Sequence, residues 1–387
     1  MVTDIYMPVL PAILPLLIVN NGYSYLAAGL LVTAYNVTSS FTQPVVGWMS
    51  DTKGFSVSIS ISLLVSAVFV SLMGIAQDYY YLIMIFAIIA ALGHACFHPT
   101  ALSLVNRLCQ PENRGQITSF FVVGGNFGYA IGPVLAGVLV FWLGLPGLLL
   151  LIFPAIFMVF ALRYLLPGGI TGAHASHPQQ KVKTEAGQSK KPFVILMIAS
   201  VLRAWAVFAA ITFLPMYLVT LGYDLITANI VMTLMLLSGV AGQVMGGYIS
   251  DWIGRKEFMI LGFAISIPFF YLFFLSSGTI SIIAVLLFGF FLWSTFAVAV
   301  AMSHELLPQN VGLASGMMLG LAIGVGGLGV AVNGMIADNY SLAAALGTIP
   351  IPIMAAMLLM IILPYPWKSL KHRYAQKTSP WCIQYTY

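Results

Sequence analysis

Gln43-Pro-Val-Val-Gly47-Trp-Met-Ser-Asp51-Thr-Lys-Gly54 returns 200 positions later as Gln243-Val-Met-Gly-Gly247-Tyr-Ile-Ser-Asp251-Trp-Ile-Gly254-Arg-Lys256. A second pair follows in the same order: Pro111-Glu-Asn-Arg-Gly115 and Pro308-Gln-Asn-Val-Gly312. All four lie in loops between apolar runs, at matching places in the two halves of the chain. A parallel repeat of two helical halves is a transporter architecture, with the substrate site between the halves near the membrane midplane.

Working outward, the composition requires a membrane. The chain is 60% hydrophobic and 6% charged, against roughly 25% charged in a soluble domain. No soluble core hides that much apolar surface. The hydrophobic runs read as about twelve spans, each near the ~20 residues needed to cross a bilayer. Fourteen of the fifteen Lys and Arg residues fall in alternate loops and the C-terminal tail, and the intervening loops hold none. Basic short loops stay in the cytoplasm. The expected protein is therefore all-α, with twelve transmembrane helices in two pseudo-symmetric six-helix halves. Both termini face the cytoplasm, and the protein is multi-pass in the inner membrane. The halves are 1–166 and 193–366, joined by a polar cytoplasmic linker (167–192) and followed by a tail (367–387).

Topology accounts for the net charge of +5, so no nucleic-acid partner is expected. Cys96, Cys109 and Cys382 fall within a span or inside the cell, so no disulfide is expected. The first span begins at Met1 with no inner flank. Either the helix starts at the terminus, or residues precede it in the native protein. Gly324-Val-Gly326-Gly-Leu-Gly329 matches a dinucleotide fingerprint but lies in an apolar helix with no preceding strand. No cofactor is expected.

The Gly47/Asp51 and Gly247/Asp251 loops resemble the cytoplasmic loop motif of the major facilitator superfamily, Gly-x-x-x-Asp-x-x-Gly-Arg-Lys. Asp251, Arg255 and Lys256 complete it in the second copy; Phe55-Ser56 replace the basic pair in the first. Glycine permits close helix approach, and a carboxylate–cation pair broken during rocking makes a gate; the alternative reading is a simple topogenic loop. In span five, Gly124, Gly128 and Gly132 recur every fourth residue and Pro133 supplies a bend. This resembles the superfamily's antiporter motif, with Ala136 where glycine is usual. Span eleven mirrors it with Gly316, Gly320 and Gly324. These helices read either as sliding interfaces between the halves or as static packing. Gly93 through Pro99, Val123 through Gly128, Asp4 ahead of Leu10-Pro-Ala-Ile-Leu-Pro15, and Glu305 through Gly316 are similar to the fosmidomycin resistance branch of that superfamily. That resemblance implies proton-driven efflux of a small drug-like or anionic molecule.

Four polar groups stand out inside spans. His94 and His98, four apart, share a helix face. No third ligand stands near them in the sequence, so no metal is expected. His98 reads as a titrating group in a central cavity or as a packed histidine. Asp4, His98 and His94 are the candidates for handling a coupling proton. Arg203 follows Lys191-Pro192 by about eleven residues, which at roughly 1.5 Å each places it near mid-membrane. A charge there costs roughly 2.5 kcal/mol or more unless it meets a partner or water. It reads as an anion site, or as a structural ion pair with Asp4. Asn126, Trp205 and Tyr217 are the further substrate-binding candidates. The expected partners are a small molecule, a proton and the lipid bilayer, and the expected state is a monomer. No enzyme is expected, since His304-Glu305 lacks the second histidine of a zinc-protease motif. The competing readings are a metabolite uptake symporter or uniporter and a non-transporting receptor.

Overall fold

The computed structural model describes residues 1–53, 57–108, 114–165, 191–308 and 311–367. Residues 166–190 and 368–387, holding nearly all of the expected linker and tail, fall outside it, as do Cys109, Cys382 and the Asp51 side chain. The described residues form no strand. They fold into twelve long helical stretches. In the first half these are α1 (Val2–Asn21), α2 (Tyr25–Lys53), α3 (Ile59–Ile75), α4 (Tyr80–Leu108), α5 (Arg114–Leu143) and α6 (Leu145–Leu165). In the second they are α7 (Lys191–Thr220), α8 (Leu225–Ile253), α9 (Arg255–Leu275), α10 (Gly278–Leu306), α11 (Leu313–Asn339) and α12 (Leu342–Ile362).

Ten of these helices are long and apolar enough to cross a membrane by themselves. The two exceptions have physical reasons. α3 is a shorter apolar helix. α2 carries Thr33, Asn36, Ser39, Ser40 and Gln43, and the first four of these are buried. Its polar face is turned into the bundle, so its mean hydropathy understates its place in the membrane. Outward faces are apolar, with Trp142, Phe153 and Phe157 exposed. Helices suit this setting because they satisfy every backbone group within the segment. α8 ends at Gly254, whose φ of 116° reverses the chain directly into α9. That explains the glycine after the motif aspartate, because such a φ strains any residue with a Cβ.

Packing repeats with the sequence. α2 lies on α4 and α3 on α4; six helices on, α8 lies on α10 and α9 on α10. Lipid supplies no hydrophobic drive between helices, so close approach and hydrogen bonds hold them. A Cβ on Gly242 of α8 would meet the Phe290 carbonyl of α10 at 2.2 Å. Ser238 donates to the Leu286 carbonyl nearby at 2.7 Å. The halves meet along two related seams, α2 with α11 and α5 with α8.

These seams are tight at one end and open at the other. A Cβ on Gly324 would meet Ser40 at 2.6 Å, one on Gly334 the Tyr25 carbonyl at 2.7 Å, and one on Gly137 the Asn229 side chain at 3.0 Å. Toward the end bearing Arg255 and Lys256, Gly47, Gly247, Gly124 and Gly316 have nothing within 4 Å of a built Cβ. These four were expected to let helices approach closely. In this conformation a side chain added at any of them meets none of the described residues, in keeping with halves parted at that end.

Candidate functional site

Between the halves lies a cavity of about 280 Å³. Asp4 of α1, His94 and His98 of α4, and Asn126 of α5 border it from the first half. Arg203 of α7 and Gln243 of α8 border it from the second. Phe121, Phe208, Trp293 and Phe296 supply aromatic wall.

On the first-half side, the three groups expected to handle a proton come together. The helix places His94 and His98 one turn apart, with their Nε2 atoms 3.2 Å from each other. Asp4 Oδ1 lies 3.2 Å from His98 Nε2, and its Oδ2 lies 3.3 Å from the Met1 amino group. The third donor that the sequence did not place beside the histidines is thus Asp4, brought in from another helix. One donor atom from each of the three lies within 4.8 Å of the others.

On the second-half side, Arg203 is 5% exposed and makes no ion pair among the described residues. Its guanidinium carbon sits 4.8 Å from the Phe296 ring centroid, and its Nε has no hydrogen-bond partner. The ion pair with Asp4 does not form. Asp4 is engaged with His98 and the amino terminus instead.

Asn126 donates to Gln243 Oε1 at 2.7 Å, a bond across the seam between the halves. Gln243 was not singled out as a site residue, yet a signal was there. Gln43 and Gln243 open the two copies of the repeated motif, and both line the cavity. Trp205 and Tyr217 do not line it. Trp205 donates its indole N–H to Asn333 Oδ1 at 2.6 Å, and Tyr217 stacks on Phe274 at 5.1 Å. Residues three or four apart share a helical face. Val207 and Ile211 therefore follow Arg203 into the cavity, whereas Trp205 turns away from it. Tyr217 lies fourteen residues on, roughly 21 Å along the axis.

The motif loop of the second half forms a network within that half. Arg255 meets Asp251 at 3.5 Å and Glu305 of α10 at 2.9 Å. Tyr365 also donates to Glu305. Lys256 donates to the carbonyls of Ile361 and Leu363 at the end of α12, and lies over the Trp367 ring. These contacts of Arg255 and Lys256 tie α8, α9, α10 and α12 to one another. They do not clamp one half to the other. Gly128 and Gly132 likewise pack within their half, against the carbonyls of Met1 and of Ile5 at the start of α1. Pro133 lies inside α5. Gly320 and Gly324 do face α2 across the seam.

The Major Facilitator Superfamily model matches residues 1–326 and, in a second placement, 196–384. The fosmidomycin resistance protein of Escherichia coli (strain K12) is 29% identical over 358 residues, covering 88% of this chain and 85% of that protein. An uncharacterized transporter of the superfamily from Bacillus subtilis (strain 168), YfnC, is 29% identical over 363 residues, with the same coverage of 88% and 85%. A bacterial homolog of the human lysosomal transporter Spinster, in an inward-facing and occupied conformation, superposes with a TM-score of 0.77. It is 15% identical, and the match covers 97% of this chain and 94% of that one. Matched from end to end in sequence and in its two-half fold, the chain belongs to the major facilitator superfamily and is a multi-pass membrane transporter of small molecules.

Proposed function

We propose that this transporter is a proton-coupled antiporter that exports a small anionic, amphipathic molecule by alternating access. The observation that carries the reading is Arg203, a buried guanidinium bordering the inter-half cavity with no carboxylate to neutralise it among the described residues. Arginine stays charged in proteins and forks onto planar or tetrahedral oxyanions. Keeping that charge unpaired in the bundle costs stability, and an anionic cargo offsets the cost only when bound. Aromatic and aliphatic walls complete an amphipathic site. The similarity to the fosmidomycin resistance protein supports a phosphonate or related oxyanion as cargo.

With the basic loops in the cytoplasm, the open end of the seams faces inward, which is the loading state of an exporter. Rocking about the cavity then presents the cargo to the other side. The test uses purified protein in proteoliposomes with an imposed pH gradient and a phosphonate as cargo. Accumulation should follow the gradient and vanish with an uncoupler. Gradient-driven movement of lipophilic cations, with no phosphonate binding or transport, defeats the reading.

A further inference from the structure

We infer that Asp4, His94 and His98 form a binding site for a divalent transition-metal ion of the Zn²⁺ and Co²⁺ class, opening onto the central cavity. The sequence argued against a metal because the two histidines had no third ligand beside them. The fold supplies one from a helix remote in sequence.

The argument begins with the donors. Two histidines four apart on a helix are a recurrent metal-binding pair, since both rings project from one face. A tetrahedral ion with bonds of about 2.0–2.1 Å holds neighbouring donor atoms about 3.3 Å apart. His94 Nε2 to His98 Nε2 is 3.2 Å, and His98 Nε2 to Asp4 Oδ1 is 3.2 Å. The remaining separation is within 4.8 Å, and closing it onto one shared ion requires the side chains to shift.

Hydrogen bonding alone serves this cluster poorly. His98 Nε2 faces both an imidazole nitrogen and a carboxylate oxygen, and one N–H points along only one of those directions. A cation accepts a lone pair from each of the three donors at once. Occupancy by protons and by a metal ion is mutually exclusive, because each uses the same lone pairs.

The donor set also selects the ion. Two imidazoles and a carboxylate suit Zn²⁺ and its first-row neighbours; Mg²⁺ and Ca²⁺ prefer all-oxygen shells. Three protein ligands leave a coordination position free, as in exchangeable rather than structural zinc sites. Here that position opens on the cavity that all three residues line. Arg203 borders the same cavity, so an anion lying between them would neutralise both charges.

The experiment uses the whole chain, purified without a polyhistidine tag and stripped of metal. Co²⁺ is titrated in and followed by its visible d–d absorption, then displaced with Zn²⁺. One Co²⁺ per chain with a tetrahedral spectrum is expected. Asp4→Asn and His98→Gln should each weaken binding by about tenfold or more, the scale of a damaged metal shell. The melting temperature of the wild type should rise with Zn²⁺ and not with Mg²⁺, a readout that needs no variant to fold. Absence of stoichiometric uptake by the wild type, or uptake unchanged in both variants, overturns the assignment. Neither measurement involves transport, so this result stands or falls apart from the export reading.

Discussion

Asp338, at the end of α11, accepts the backbone N–H groups of Tyr25 at 2.8 Å and of Leu26 at 2.9 Å, so one half of the protein caps a helix of the other. The first N–H groups of a helix have no partner of their own, and the helix dipole favours an anion there. The cap lies at the tight end of the α2–α11 seam and fastens it. Rocking to the opposite state must release both bonds.

Asp338→Asn removes the charge and leaves one oxygen for two donors. The capped state should lose about 0.5–1 kcal/mol, a two- to five-fold shift in population. Spin labels at the exposed Val19 and Tyr340 would report it as a longer or broader distance distribution. An unchanged distribution means that the cap does not hold this end.

Glycine substitutions should separate the tight and open ends of the bundle. A Cβ on Gly329 would lie 2.1 Å from the Trp205 indole, which is itself pinned to Asn333. Gly329→Ala forces α7 and α11 apart and should cost about 1–3 kcal/mol. Gly316→Ala meets nothing within 4 Å and should stay within about 0.5 kcal/mol. Thermal unfolding of both variants in detergent decides this, and equal losses contradict the free space around Gly316.

The same contrast shows what could be read from sequence. The repeat opened by Gln43 and Gln243, the one-sided basic loops and the apolar run lengths gave the two-half bundle, because each is local and periodic. Arg203 was legible because charge in a span is rare. The Asp4–His98 contact was not, since no sequence rule brings the first helix onto the fourth. Trp205 failed for a simpler reason: membership of a span does not fix which face a residue takes. Of the motif glycines, Gly128, Gly132, Gly320 and Gly324 lie against neighbouring helices, whereas Gly47, Gly124, Gly247 and Gly316 do not, because a static rule of close approach ignores which end of the seam is parted.

Asp224 caps α8 by accepting the Thr227 N–H at 2.6 Å. That bond holds its carboxyl below the ordinary value of 3.8. The folded-state pKa is depressed, so the stabilisation is present above the ordinary value and fades as the pH falls through the folded one. Asp224→Ala should cost about 1 kcal/mol at neutral pH. The gap between variant and wild type should narrow in acid below pH 3.8. Denaturation measured at neutral and acid pH checks this; a gap that widens in acid rules out the carboxylate cap.

Arg203 sets stability against function. With no ion-pair partner among the described residues, removing it strands no carboxylate there, and its Nε is a buried donor left unsatisfied in the wild type. Arg203→Met keeps an unbranched apolar stem and relieves a buried charge that costs roughly 2.5 kcal/mol or more. It should melt at or above the wild-type temperature and lose phosphonate binding. Arg203→Lys keeps the charge but loses the two-pronged geometry and the planar contact with Phe296. It should bind about tenfold more weakly, corresponding to about 1.4 kcal/mol. Calorimetric binding and thermal melting on the same preparations test both arms. A Met variant that is markedly less stable points to a structural partner for the guanidinium; a Met variant that is stable and still binds phosphonate removes Arg203 from the anion site.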